Sequence, residues 1–193
     1  AGGTYTVRPG DTLAAIAARA GTTADALARL NGIRDPNLVV AGAVLRTPGG
    51  AATVAAARPA PAWVDPSQVQ SLLARHAARH GVSLALARAV AWQESGFRQD
   101  VVSSAGAVGV MQLMPDTAAW AGPALLGRAI DPASADDNID AGVAFLAYLL
   151  RRTGDPSRAL AGYNQGLDSV ARNGVYQETR QYVASVLALT GRV

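Results

Sequence analysis

The sequence predicts a small α+β unit of β-α-α-β order followed by a mainly α-helical domain. Three observations lead there. Short β-prone runs flank two capped helical patterns within the first 47 residues. A stretch poor in large side chains, PGGAATVAAARPAPA, follows at 48–62 and reads as a linker of intermediate stiffness. From Trp63 to Val193 helical periodicities recur, separated by glycines. The expected domains are therefore 1–47, the linker 48–62, and 63–193. No repeat of fixed period occurs in either half.

In the first unit, Thr4-Tyr5-Thr6-Val7 is β-prone and puts Tyr5 and Val7 on one face. Pro9-Gly10 is a turn signal, and Asp11 or Thr12 is a suitable N-cap for a helix beginning at Leu13. Gly21 stops that helix, Thr22 or Thr23 caps a second one carrying Leu27 and Leu30, and Asn31-Gly32 ends it. A loop with Asp35-Pro36-Asn37 leads to the closing strand Ala43-Val44-Leu45-Arg46, which pairs antiparallel with the first.

In the second unit, Ser67 to His80 places Val69, Leu72, Leu73 and Ala77 on one face, with Gly81 ending the helix. Ser83 is expected to cap a helix from Leu84 to about Ser95, stopped by Gly96. Ser103 to Leu113 is irregular and Gly-rich, with a little strand expected near Val108 and Val110. Asp136-Asp137-Asn138 precede a helix through Phe145, Leu146, Leu149 and Leu150, stopped by Gly154. Pro156 starts another through Ala159, Leu160 and Tyr163. Gln177 to Leu189 is the last.

Composition excludes several function classes. With 50% hydrophobic and 16% charged residues, most of the chain should fold rather than stay disordered. No apolar run reaches the roughly 18 residues of a membrane span. All 17 basic residues are arginine, scattered except for the pair Arg151-Arg152, and the formal net charge is only +3. No basic stripe for nucleic acid results. There is no Cys, hence no disulfide and no thiolate metal site. The chain opens at Ala1 without Met or an apolar leader, so any signal peptide is expected to have been removed.

The chain has two glutamates, Glu94 and Glu178. Glu94 follows Ala87, Val90 and Ala91 by seven, four and three residues, so it projects from the apolar stripe of its helix. It also lies in the last turn, where the helix dipole disfavours a carboxylate. Burial and dipole both raise its pKa, as a general acid working near neutral pH requires. Position alone equally allows pairing with Arg88 or Arg98, or exposure at a frayed end. Glu178 precedes a helix, where capping accounts for it.

Residues 1–47 resemble the LysM carbohydrate-binding module through Y-T-V-R-P-G-D-T-L, L-N-G-I, D-P-N-L and G-A-V-L-R in that order. The resemblance implies binding of N-acetylglucosamine units between two loops, here Gly10-Asp11-Thr12-Leu13 and Asn37-Leu38-Val39. Four further stretches resemble the lysozyme-like domain of soluble lytic transglycosylases: Trp92-Gln93-Glu94-Ser95-Gly96-Phe97, Ser103 to Pro115, Ala161-Gly162-Tyr163-Asn164-Gln165-Gly166, and Glu178 to Val183. Val110, Gly162 and Gln165 depart mildly from that pattern, and none touches the glutamate.

The second resemblance implies that Glu94 protonates the glycosidic oxygen between N-acetylmuramic acid and N-acetylglucosamine, then acts as base. Ser103 and Gln112 would line the cleft, and Gly109 would let the backbone of 109–112 approach the saccharide. Met111 is evenly balanced between site and core, and Met114 is assigned to packing. Tyr163 and Tyr182 would face the acid, with Asn164 partly structural. Ordinary glycosidases use a second carboxylate; Asp100 and Asp116 are the nearest candidates, and neither sits in a motif that aims it. The family chemistry needs none, because the substrate's N-acetyl oxygen stabilises C1 and its own C6 hydroxyl attacks, giving a 1,6-anhydromuramoyl end.

The expected partners are peptidoglycan glycan strands and, as an alternative, chitin oligosaccharides, with no nucleic acid, cofactor or metal and a monomeric state. The expected location is secreted, periplasmic or cell-wall-associated. A muramidase of the same fold that uses water, or a non-catalytic wall-binding protein, are the rival readings. His76 and His80, four apart on a helix, have no evident third ligand and are assigned to a surface or packing role. Asn138 is assigned to helix capping. Trp63, Trp92 and Trp120 could stack on sugars, with Trp92 as readily core.

Overall fold

The computed structural model describes residues 3–7, 13–33, 43–48 and 61–192. The chain divides into two compact units, one reaching Arg58 and one made of most of the chain from Pro59 onward. Among the described residues no helix is long and apolar enough to cross a membrane.

The first unit has the expected β-α-α-β order: β1 (Gly3–Thr6), α1 (Leu13–Arg19), α2 (Ala24–Asn31) and β2 (Val44–Thr47). The strands pair antiparallel, with Tyr5 opposite Leu45. Val7, Leu13, Ile16, Ala17, Leu27, Ala28 and Leu45 form its core, with Tyr5, Ile33 and Ala43 packed against it. Thr23 caps α2 by accepting the Ala26 amide at 3.2 Å, and Gly32 ends it in the left-handed conformation. Asn31 ties α2 to β2, donating to the Arg46 carbonyl at 2.8 Å and accepting its amide at 2.6 Å. Leu30 lies exposed. The loop residues Gly10, Asp11, Thr12, Asn37, Leu38 and Val39 lie outside the described residues, as does most of the linker.

The second unit is helical: α3 (Pro66–His80), α4 (Leu84–Ser95), α5 (Pro115–Ala121), a π-helical turn (Gly122–Leu126), α6 (Ala135–Thr153), α7 (Pro156–Gln165), α8 (Leu167–Asn173) and α9 (Gln177–Leu189). Helix α6 is the axis, packing on α3 and α7, while α9 lies against α7 and α4. Most of α6 is buried from Ala135 to Leu149, so it has too little exposed face to be a surface helix. Gly142 is needed at its centre, because a Cβ there would come within 2.5 Å of the Met111 side chain.

Several expectations change here. Helices α5 and α8 are seven residues each, too short for a periodic signal. Helix α6 starts at Ala135, so Asp136, Asp137 and Asn138 lie inside its first turns, where the two aspartates face the positive end of the dipole. Ser83 occupies the N-cap position of α4 but makes no capping bond with its side chain. Glu178 sits in the first turn of α9 rather than ahead of it. The expected strand is reduced to bridges of Val108 with Val102 and Leu113.

Candidate active site

Helix α4 ends where Gly96 takes the left-handed conformation, its amide reaching the Ala91 and Trp92 carbonyls. That fixes the last turn, from which Glu94 projects. Ala87, Val90 and Ala91 below it are fully buried. Tyr182 of α9 donates its hydroxyl to Glu94 Oε1 at 2.6 Å. Burial raises the Glu94 pKa to about 7, against the opposing pull of the Tyr182 hydrogen bond, which favours the charged form. Burial, and then the Glu94 charge, push the hydroxyls of both Tyr163 and Tyr182 well above their ordinary range. The two tyrosines thus remain neutral beside one carboxyl group, Tyr182 as its hydrogen-bond donor.

Neither arginine considered from sequence holds this carboxylate. Arg98 is exposed and pairs with Asp100 at 3.1 Å, a contact that lowers the Asp100 pKa. Arg88 leaves its buried Nε without a hydrogen-bond partner. Asp116 sits in the first turn of α5, exposed. No second carboxylate is hydrogen-bonded within the Glu94–Tyr182–Tyr163 group among the described residues.

The loop 101–113 forms the neighbouring wall, and its shape comes from buried amides. Ser95, next to Glu94, donates to the Val110 carbonyl at 2.9 Å. Gln99, 1% exposed, accepts the Val110 amide and donates to the carbonyls of Pro132 and Ala133. Asn138, fully buried, accepts the Met111 amide at 2.8 Å and donates to the carbonyls of Val108 and Pro132. The capping role expected for Asn138 is therefore replaced by a clamp: it sits one turn into α6, where its own backbone needs no cap. Tyr163 completes the wall by donating to the Met111 carbonyl at 2.9 Å.

The other predicted site residues take varied places. Gln112 has φ +45°, uncommon for a side-chain-bearing residue, and donates to the carbonyls of Gly109 and Val101. Ser103 accepts the Ala107 amide at 3.0 Å. Asn164 is exposed and accepts from buried Thr179, joining α7 to α9. Gly109 has φ +78°, and a Cβ there would meet Asn138 and Gln99 at 2.6 Å, so the clamp requires glycine. This internal approach, not an approach of saccharide, is what the packing explains.

Two assignments are corrected. The Met111 side chain is fully buried against α6, leaving only its backbone for the site. The Leu13 side chain is 1% exposed in the core of the first unit, so it cannot reach a sugar from the loop. Met114 is half-buried at the head of α5. Trp63, Trp92 and Trp120 are all exposed; Trp92 packs on Phe97, and Trp120 packs edge-on to Phe145 and Tyr148. Ser95 and Gln99 were missed as supports, since short polar residues near a helix end give no distinctive pattern. His76 is buried and His80 half-buried, which agrees with the packing alternative, and Asp140 supplies the third potential ligand that sequence did not reveal.

Comparison with known proteins gives two family matches. The transglycosylase SLT domain family matches residues 71–185, and the LysM domain family matches residues 5–48. The soluble lytic murein transglycosylase of Salmonella typhimurium is 31% identical over 150 residues, covering 64% of this chain and 22% of that protein. The membrane-bound lytic murein transglycosylase C of Mannheimia succiniciproducens is 31% identical over 130 residues, covering 61% and 36%. Among solved structures, the lytic transglycosylase Slt of Pseudomonas aeruginosa, an inactive mutant, aligns with a TM-score of 0.55 and 31% identity over 63% of this chain and 23% of that one. The 70-kDa soluble lytic transglycosylase of Escherichia coli aligns with a TM-score of 0.57 and 27% identity over 62% and 23%. The chain thus spans less than a quarter of the length of the soluble relatives it matches.

Proposed function

The chain belongs to the transglycosylase SLT domain family, and from that premise we propose that it is a lytic transglycosylase of peptidoglycan with Glu94 as acid and then base. The observation carrying this reading is the Glu94 carboxyl: half-buried at the end of α4, held by Tyr182, paired with no arginine, and pushed up to about 7 by desolvation. Such a group is protonated for an appreciable fraction of the time near neutral pH, which a general acid needs.

With Oε1 accepting from Tyr182, the proton of the neutral acid belongs on Oε2. From there it passes to the oxygen linking N-acetylmuramic acid to N-acetylglucosamine as the C1–O bond breaks. The substrate's N-acetyl oxygen supports the positive charge at C1. Glu94, now a carboxylate, takes the C6 hydroxyl proton while that oxygen closes on C1. The products are a 1,6-anhydromuramoyl end and a free 4-hydroxyl, with Glu94 protonated again and no water consumed. In this route the substrate's own N-acetyl and C6 hydroxyl groups take the parts that a second carboxylate and a water play in a muramidase. Ser103, Gln112 and the Gly109–Gln112 backbone are the proposed sugar contacts beside Glu94, with Tyr163 as the neutral donor at the loop.

The first unit is proposed to bind N-acetylglucosamine-containing strands through the loops 10–13 and 37–39, with the buried Leu13 side chain taking no part. Joined by the 48–62 linker, it raises the local concentration of the catalytic domain on an insoluble polymer, so weak binding is enough. A role outside the cytoplasm, at the wall, follows from that substrate.

Digestion of purified peptidoglycan, followed by mass spectrometry of the released ends, tests the proposal. Products one water lighter than hydrolytic ones are expected from the parent, with activity lowered about 10²–10⁴-fold or more in Glu94→Gln. Equal activity in that variant removes Glu94 from the chemistry. Hydrolytic ends replace the transglycosylase with a muramidase.

A further inference from the structure

The interface of α3 with α6 brings together both histidines of the chain and the one fully buried carboxylate among the described residues, Asp140. Spaced four apart on α3, His76 and His80 face the same way. His80 Nε2 lies 2.7 Å and His76 Nδ1 3.0 Å from the same oxygen, Asp140 Oδ1. The other ring nitrogen of His76, Nε2, is 2.6 Å from Asp136 Oδ1. The second oxygen of Asp140 is taken by Arg128 at 3.0 Å and Arg79 at 3.3 Å. His76 Nδ1 is buried and, despite its approach to Asp140, makes no hydrogen bond. Two nitrogens and one oxygen therefore converge, all within 4.8 Å of one another.

We propose that His76 Nδ1, His80 Nε2 and Asp140 Oδ1 form a site for one divalent transition-metal ion, with Zn²⁺ the best fit, stapling α3 to α6. The donor set suits it, since imidazole and carboxylate are common zinc ligands, whereas Ca²⁺ takes six to eight oxygens. Zinc bonds of about 2.0–2.1 Å in tetrahedral geometry separate ligand atoms by roughly 3.3 Å, so each nitrogen needs to move only about half an ångström away from Asp140 Oδ1. A water can fill the fourth position.

The surroundings carry the argument further than the three ligands. Metal-bound histidines commonly give their second ring N–H to a carboxylate, which sets the tautomer. Asp136 is placed to take the Nε2 proton of His76, 2.6 Å away, and in that tautomer Nδ1 is the unprotonated nitrogen aimed at the site. Arg128 and Arg79 hold Oδ2 of Asp140 and so orient Oδ1 toward both imidazoles. The alternative is an ion-pair cluster in which a proton occupies the place of the metal. That requires His76 to donate from both nitrogens, which the unmade hydrogen bond at Nδ1 opposes. The site shares no hydrogen bond with Glu94, Tyr163 or Tyr182, so its role is structural and separate from glycan cleavage.

The test is Zn²⁺ titration of the full chain, without a histidine tag, by calorimetry, thermal unfolding and ¹⁵N NMR of the imidazoles. With two His and no Cys in the sequence, any imidazole signal that responds belongs to this pair. The expected result is one Zn²⁺ per chain, a raised unfolding temperature, and a metal-induced shift at His76 Nδ1 and His80 Nε2. His80→Gln should weaken binding at least 100-fold. Asp136→Asn, which keeps all three ligands, should weaken it by about 10- to 100-fold. No saturable binding, unchanged imidazole signals in the parent, or equal affinity in His80→Gln each overturns the site. The NMR readout on the parent keeps the test decisive if a variant does not fold.

Discussion

Met111 stands between Asn138 and Tyr163: its amide donates to the Asn138 side chain at 2.8 Å and its carbonyl accepts the Tyr163 hydroxyl at 2.9 Å. One residue of the loop is thus gripped from α6 on one side and α7 on the other. Asn138→Ala leaves the Met111 amide and the Val108 carbonyl buried without that partner. A loss of about 3 kcal/mol of stability is expected, read from urea unfolding, with cleavage activity falling as well because the Tyr163 anchor shifts.

Gly109→Ala attacks the same clamp from the other face. The added methyl meets Asn138 and Gln99 at 2.6 Å and sits at φ +78°. Stability should fall by about 2 kcal/mol or more, whereas Gly96→Ala, which has open space around the new methyl, should cost only the backbone strain of about 1 kcal/mol. Parallel denaturation curves of the two variants check the difference.

The folded-state pKa of Glu94 lies above its unfolded value, about 7 against 4.5. The folded chain therefore binds more protons between those values, and stability associated with this group is complete below about pH 4.5 and lost as pH rises through 7. The loss amounts to about 3 kcal/mol. Glu94→Gln has no charge to bury, so its melting temperature relative to the parent should rise between pH 5 and pH 8. A pH-independent difference would mean that Glu94 is already ionised in the folded chain at low pH.

Tyr182 supplies the one hydrogen bond that favours the Glu94 carboxylate. Removing it in Tyr182→Phe should move the alkaline limb of the kcat/KM profile to higher pH, while the maximum falls through lost positioning. A limb that moves down or stays fixed would show that the hydroxyl does not act on this carboxyl.

In the first unit, Asn31 bonds to both backbone groups of Arg46 and to the Leu27 carbonyl. Asn31→Ala should destabilise that unit by about 1–3 kcal/mol and reduce retention of the full chain on insoluble peptidoglycan without changing cleavage of short soluble strands.

Periodicity made the long helices legible: Val69, Leu72, Leu73 and Ala77 on α3, and the whole of α9, fall where the pattern put them. That Glu94 stands on the stripe of Ala87, Val90 and Ala91 was also legible, whereas its half-buried setting was not, since position alone equally allowed an arginine partner or a frayed end. Its partner was expected only through family resemblance, since nothing in the residues alone joins Tyr182 to a helix end 88 positions earlier. The roles of Gln99 and Asn138 were illegible for a different reason. A side-chain amide serves equally well as cap, surface group or clamp, and only the backbone atoms folded around it decide. Met111 was ambiguous because its buried face depends on Gly142, 31 positions later, having no side chain.

The bond from Tyr182 to Glu94 also has a temporal side. The carboxyl is synthesised 88 residues before the hydroxyl that holds it, and α9, which carries that hydroxyl, comes after every other helix among the described residues. A polypeptide still emerging, or cut short ahead of α9, has the carboxyl of Glu94 but not the hydroxyl that holds it. Completion of the Glu94–Tyr182 pair therefore waits on α9 to dock.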